Sequence, residues 1–253
     1  MSTLTQPTSG PHALRAQVIA ELRMRLTHGE TALLVLGIPI TLLLFFSLVD
    51  VVDVPTETNV EFVFPGILAL AVLSTAFTST AIATAFERAY GVLKRVGATP
   101  LGRTRLILAK IIAIAATQVV QVVVLTAIAA SLGFTSINML DIVAIIAAGT
   151  AATSACVGIA LVLASTLRPE AVLGAANGIY VLLLLLSGLV FELDRLPDWL
   201  ATVSQLLPVT ALAEIYRAVL TTEATSIGSR PIVVLTVWAC AAPLVARRMF
   251  KWS

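Results

Sequence analysis

The sequence predicts an all-α integral membrane protein of six transmembrane helices, and three observations carry that prediction. Of 253 residues, 58% are apolar and only 12% are charged, whereas a soluble domain has roughly 45–50% apolar and about 25% charged residues. Long stretches such as 31–49 and 63–85 contain no charge at all. The basic residues are also distributed with a strong bias between alternate connecting segments, as the positive-inside rule requires of short cytoplasmic loops.

A span needs about 20 apolar residues to cross roughly 30 Å of hydrocarbon. Six segments qualify, at about 31–49, 63–85, 106–132, 141–167, 171–191 and 228–246. The last is the weakest, because the run from Pro231 to Ala246 has only 16 residues, and it must recruit residues from Ile227 onward. Short β-branched runs inside these segments resemble buried strands, but segment length arbitrates for helix. Of the 16 basic residues, 13 fall on one side of this arrangement, and only Arg195, Arg217 and Arg230 on the other. Six spans then place both termini in the cytoplasm of a multi-pass plasma (inner) membrane protein.

Outside the spans, residues 1–11 are rich in Ser, Thr, Pro and Gly and read as a disordered cytoplasmic tail; residues 12–253 read as a single transmembrane domain. Leu14, Val18, Leu22 and Leu26 recur at four-residue spacing, with Arg15, Arg23 and Arg25 on other faces, the pattern of an amphipathic helix lying in the inner interface. Nothing in the first thirty residues has the apolar core of a signal peptide. The net charge of +2 and the confinement of basic residues to membrane edges exclude nucleic acid as a partner. Cys156 and Cys240 lie in apolar runs and imply no disulfide framework.

The connection between the second and third spans, 86–105, is basic and punctuated by Gly91, Gly97, Pro100 and Gly102. Pro is tolerated in a first helical turn, so the segment offers a short helix below the membrane to a cytosolic partner. A solvated loop that only fixes topology is the alternative. Within it, Glu87, Arg88, Gly91, Leu93, Thr99, Pro100 and Arg103, running on to Ala109 and Lys110, resemble the signature of ABC-2-type transporter permeases. Val92 and Gly97 depart from that signature. A second resemblance lies at Leu196-Pro197-Asp198-Trp199-Leu200, Pro208 and Arg217, in the family's external segment between the fifth and sixth spans; Leu207 stands where many members have Asn. Read from the residues alone, this segment holds two short helices, broken at Pro208 and tucked into the outer leaflet.

The resemblance implies a permease subunit of an ATP-binding-cassette exporter, with a coupling helix between the second and third spans. It implies a second permease chain, identical or different, and a separate ATPase subunit that binds ATP and Mg and acts through Glu87, Arg88, Gly91, Lys94, Arg95, Thr99, Pro100 and Arg103. The cargo expected is a hydrophobic or amphiphilic drug, antibiotic or lipid, because no charge lies near the middle of a span. The chain itself has no nucleotide site: its three lysines follow Leu93, Ala109 and Phe250, so no Gly-Lys-Ser/Thr cradle for phosphates exists. With only His12 and His28, neither a catalytic Ser-His pair nor a metal site is expected at membrane depth. An ATP-independent channel or carrier would share the neutral interior, and a non-transporting scaffold would share the basic loop.

Neutral polar residues do enter the spans, including Thr75, Thr78, Thr80 and Thr84 in the second, Gln118 and Gln121 in the third, and Asn177 with Tyr180 in the fifth. One reading is interhelical hydrogen bonding and close packing, helped by Gly174 and Gly178 as a small-xxx-small pair. The other follows from the family's plan: Thr75, Thr78, Asn177 and Tyr180 line the substrate path beside a dimer interface, among membrane lipid.

Overall fold

The computed structural model describes residues 10–27, 29–49, 59–99, 101–134, 137–187, 197–221 and 228–250. In the first two helices the side chains described are those of residues 12–24 and 35–49. Among the described residues there is no strand. Most of the disordered tail expected at 1–11, and Pro100, lie outside them.

The chain opens with α1 (Gly10–Thr27) and α2 (Gly29–Leu48). The second predicted span is longer than its apolar core: α3 (Asn59–Leu73), a π-helical segment (Ser74–Ser79) and α4 (Thr80–Ala89) form one continuous helix, Asn59–Ala89. The short α5 (Val92–Gly97) follows, then α6 (Gly102–Ser131), α7 (Met139–Thr166) and α8 (Pro169–Leu186). A bent pair, α9 (Asp198–Ser204) and α10 (Pro208–Leu220), precedes α11 (Ser229–Met249). Five of these helices are long and apolar enough to cross a membrane: Asn59–Ala89, α6, α7, α8 and α11. They correspond to the second to sixth predicted spans. The first corresponds to α2, which has 20 residues and so about 30 Å of length; the apolar stretch described in it is Val35–Leu48.

Local chemistry sets the boundaries. Asn138 Oδ1 accepts from the amides of Leu140 and Asp141 at 2.9 and 3.1 Å, and Asp141 Oδ2 accepts from Asn138 N at 2.9 Å. This reciprocal cap satisfies N-terminal amides that would otherwise be orphaned. Pro169 opens α8 from its first turn, where its missing N–H costs no helical bond. α11 begins at Ser229, two residues before Pro231, and at its other end runs past Ala246 through Arg247 and Arg248 to Met249; Ile227 lies outside the described residues. Pro197 and Pro208 start the two halves of the bent pair, which turn by 82° relative to each other. The expected pair of short helices broken at Pro208 is therefore present, as a broken or re-entrant element.

In lipid, helices associate through close packing of small residues and interhelical hydrogen bonds rather than by escape from water. The tightest approach joins α7 to α11, where a Cβ added at Gly158 would lie 2.5 Å from the carbonyl carbon of Ala242. Nearby, Ser154 Oγ donates to Ala239 O at 2.7 Å. Gly149 allows Tyr216 of α10 equally close to α7, and Tyr216 Oη donates to Ile145 O at 3.2 Å. The predicted packing glycines differ: Gly174 and Gly178 on α8 face open space in this chain. Buried side chains form two clusters, one around Phe64, Leu125, Ile145 and Tyr216, the other around Phe77, Leu93, Leu106, Val157 and Phe250. The second cluster reaches the basic end, where the loop residues Leu93 and Leu101 join it. At the opposite end, Arg230 of α11 holds the bent pair by bonds to Gln205 and to Glu214, at 3.2 and 3.3 Å for the latter.

Candidate coupling site

The segment after the second span folds as a helix end, a tight turn and a short helix. Tyr90 and Gly91 close α4; Gly91 has φ 72°, a left-handed conformation that a side chain disfavours and glycine adopts freely. The chain thereby reverses into α5. Gly102 repeats the device at φ 70° where α6 begins. Leu93 and Leu101 are buried at 1% and 4% exposure, whereas Lys94, Arg95 and Arg103 are exposed. The two leucines fix the segment to the bundle, and the cations project from it. Thr99 is also exposed and closes its turn by donating Oγ1 to Val96 O at 2.6 Å.

Glu87 and Arg88 stand one residue apart, about 100° around the helix, and reach different neighbours. Glu87 accepts both Oε1 and Oε2 contacts from Lys110 Nζ of α6, at 3.0 and 2.9 Å. Arg88 Nη2 donates to Leu167 O, the carbonyl that follows α7. A cation at a helix C-terminus satisfies free carbonyls and the negative end of the dipole. The acid–arginine pair therefore wedges the end of α4 between α6 on one side and the α7–α8 corner on the other.

Lys110 has a second acidic partner. Glu21 of α1 places Oε1 3.0 Å from Nζ, and both side chains are almost wholly withdrawn from solvent. Gln17 Nε2, one turn earlier, donates to the same Glu21 oxygen at 3.1 Å. The inward face of α1 thus differs from the apolar stripe expected of it: Leu14, Val18 and Leu22 are half-buried, and Glu21 is buried at 3% exposure. Leu26 lies among the side chains not described. Sequence reasoning identified Glu87 but neither Glu21 nor Lys110 as site residues. The available signal was Lys110 itself, an ammonium four residues inside an apolar segment, which requires a nearby carboxylate to be tolerated there.

The four residues expected along a substrate path are not one cluster. Thr75 and Thr78 lie in the π-helical segment, where Thr80 Oγ1 donates to Thr75 O at 3.1 Å. Thr75 is buried and receives Gln121 Nε2 of α6 at 3.4 Å; the same nitrogen donates to Val35 O of α2 at 2.7 Å. Thr78 Oγ1 is buried without a hydrogen-bond partner. On α8, Asn177 is exposed and bonds Leu173 O of its own helix at 2.8 Å, and Tyr180 is half-buried against the basic-end cluster. Gln118 of α6 meets the Thr153 hydroxyl of α7. Among the described residues, no group of three or more His, Cys, Asp or Glu is placed to hold a metal ion.

The geometry is that of a membrane bundle with one basic end, where the helix end before a short loop helix is held by an ion pair and by an arginine bonded to a backbone carbonyl, and the loop displays cations. No curated protein matches the chain. The family model described as ABC-2 type transporter matches residues 14–221, a span that begins within α1, contains the Glu87–Arg103 signature and ends one residue beyond α10. Over most of its length, then, this chain is a member of the ABC-2 type transporter family, the multi-pass membrane permease component of ABC transporters, a family that works with an ATPase carried elsewhere.

Proposed function

We propose that this permease exports a hydrophobic or amphiphilic substrate, of drug, antibiotic or lipid-like class, outward across the plasma membrane. The basic end faces the cytosol in this reading, following the Lys/Arg bias. Two permease chains assemble, identical or different, and two ATPase subunits that bind ATP and Mg dock beneath them. Their closure on ATP pushes on residues 86–103, and the spans tilt from an inward-open to an outward-open arrangement. The observation that supports this most directly is the division of labour in one short segment. Lys94, Arg95 and Arg103 are exposed where a soluble subunit can meet them, while Glu87 and Arg88 are tied to three other helices.

The cargo class follows from what surrounds the path. The polar groups available in the spans are neutral and dispersed, which suits a lipophilic molecule better than an ion. The face of α8 carrying Gly174, Asn177 and Gly178 is open in the single chain, and in this proposal the second permease chain covers it.

The test is to purify the tagged protein from its native membrane in mild detergent, with and without the pair Lys94→Glu and Arg95→Glu. Both side chains are exposed, so the variant inserts normally. We expect an ATPase to accompany the wild type and its recovery to fall in the variant. Equal recovery in both would remove the loop from the contact, and flux through the purified protein without ATP would favour a facilitative carrier.

A further inference from the structure

The three-way contact at Lys110 is placed where a moving loop would have to transmit its displacement. An ammonium has three N–H donors and no acceptor, and Lys110 directs its donors at Glu87 Oε1 and Oε2 and at Glu21 Oε1, all within 2.9–3.0 Å. The carboxylates belong to elements far apart in sequence: Glu87 precedes the loop helix, whereas Glu21 sits in α1. Both surround an ammonium that is 1% exposed.

Stability alone gives little reason for such an arrangement, since well-packed apolar residues of the same volume commonly hold helices as firmly as a buried ion pair. What the charged trio adds is direction. Apolar surfaces slide past one another at small cost, but a carboxylate displaced from an ammonium here loses its cationic partner, which leaves Glu21 buried with the Gln17 amide and an uncompensated charge. A shift of Glu87 must therefore carry Lys110 and Glu21 with it, or break the contact outright. Gln17 reinforces the Glu21 side, and Arg88 fixes the opposite side of the same helix end to Leu167.

We propose that Glu21 and Lys110 are positioning residues of the coupling apparatus, forming with Glu87 a buried ionic joint that makes α1 move with the 86–103 loop when the ATPase closes. The inference rests on the coupling reading above, and adds to it the element that receives the motion.

The experiment is hydrogen–deuterium exchange on the permease co-purified with its ATPase in lipid nanodiscs, comparing the nucleotide-free complex with one trapped by ATP, Mg and vanadate. In the wild type, peptides covering residues 86–103 and those covering α1 should both change their exchange on trapping. In Glu21→Gln, which keeps size and one acceptor oxygen but removes the charge, the loop should still respond while the α1 response disappears. The charge-inverted variant Glu21→Lys, Lys110→Glu, Glu87→Lys should restore it, an outcome that a purely structural role does not predict. An α1 response that persists in Glu21→Gln, or is missing from the wild type while the loop responds, overturns the joint and leaves the coupling reading standing. A wild-type loop that does not respond to trapping overturns the coupling reading itself, and the joint with it.

Discussion

The contact between Gly149 and Tyr216 gives a quantitative test of the packing, because the obstruction is a single atom. A Cβ built on Gly149 lies 2.6 Å from Tyr216 Oη but 3.9 Å from Cζ. Gly149→Ala must therefore displace the hydroxyl of a fully buried ring, and the displacement also breaks its bond to Ile145 O. Overpacking a dense core costs about 1–3 kcal/mol, and a lost hydrogen bond adds about 0.5–1.5 kcal/mol. Against these stands a gain of about 1 kcal/mol for replacing Gly by Ala within a helix. The net expectation is a destabilisation of about 2 kcal/mol. Tyr216→Phe removes the obstructing oxygen and leaves Cζ at ordinary van der Waals distance. Alone it should cost about 1 kcal/mol, the value of the hydroxyl bond. In the Phe background, however, Gly149→Ala meets no clash and has no bond left to break, so it should be neutral or slightly stabilising. The assay is unfolding of all four variants in mixed micelles, read as a double-mutant cycle. Additive effects, within about 0.5 kcal/mol, would refute the argument, since they would mean that Cβ and hydroxyl never compete for the same space.

Three further outcomes follow from the same structure. Lys110→Met leaves buried Glu21 and half-buried Glu87 without their shared cation and should cost about 3 kcal/mol, whereas truncating exposed Lys94 should change stability by less than about 0.5 kcal/mol; thermal melts of the two variants side by side check the contrast. Gly158→Ala brings a Cβ against backbone atoms of Ala242 and Pro243 at 2.5 and 2.7 Å, so it should destabilise by about 1–3 kcal/mol, with no side-chain truncation on α11 giving full rescue. Gly91→Val places a branched residue at φ 72°, at a cost of about 1–2 kcal/mol; it should leave membrane insertion intact and abolish transport, and retained ATP-driven transport in inverted vesicles would remove this turn from the mechanism.

The spans were legible because a bilayer imposes length, and length is visible in one dimension. The five long apolar helices coincide with five predicted segments, and the turn at Gly91 falls where glycine punctuates the basic loop. Pro208 marks the break between α9 and α10, as its missing donor allows, but the 82° bend between them depends on what each half packs against. The π-helical segment Ser74–Ser79 likewise has no signature in Thr and Ser spacing; it reflects how α3 and α4 must both fit the bundle. The role of Gly149 and Gly158 was hidden by the same limit. Gly174 and Gly178 have the spacing of a packing pair, as do Ser154 and Gly158, yet only the latter two meet a partner helix in this chain, because the partner helix decides which small residue is needed.

The polar residues of the spans show how structure divides two readings that composition leaves equal. A group that lines a path must be available to the molecule passing through it. Thr75 is occupied within the bundle, taking a bond from Gln121, which also reaches across to Val35 O. Gln118 and Thr153 pair with one another in the same buried layer. Interhelical bonding accounts for Thr75, Thr153 and one polar atom of each glutamine, while Gln118 Nε2 and Gln121 Oε1 are buried without a partner; in lipid such bonds help hold helices in register. Thr78 differs: its hydroxyl is buried in the π-helical segment with no partner. Asn177 and Tyr180 lie on α8, the least buried of the five long spans. The residues that stay candidates for the proposed path are therefore Thr78, Asn177 and Tyr180, whereas Thr75 is engaged within the bundle. A substrate that depends on this wall should lose transport on Asn177→Leu with folding unchanged, while Thr75→Val should weaken folding first, since it removes an acceptor from Gln121 rather than a contact with cargo. If Thr75→Val altered transport without any loss of stability, the division would fail and the second span's threonines would have to be reassigned together.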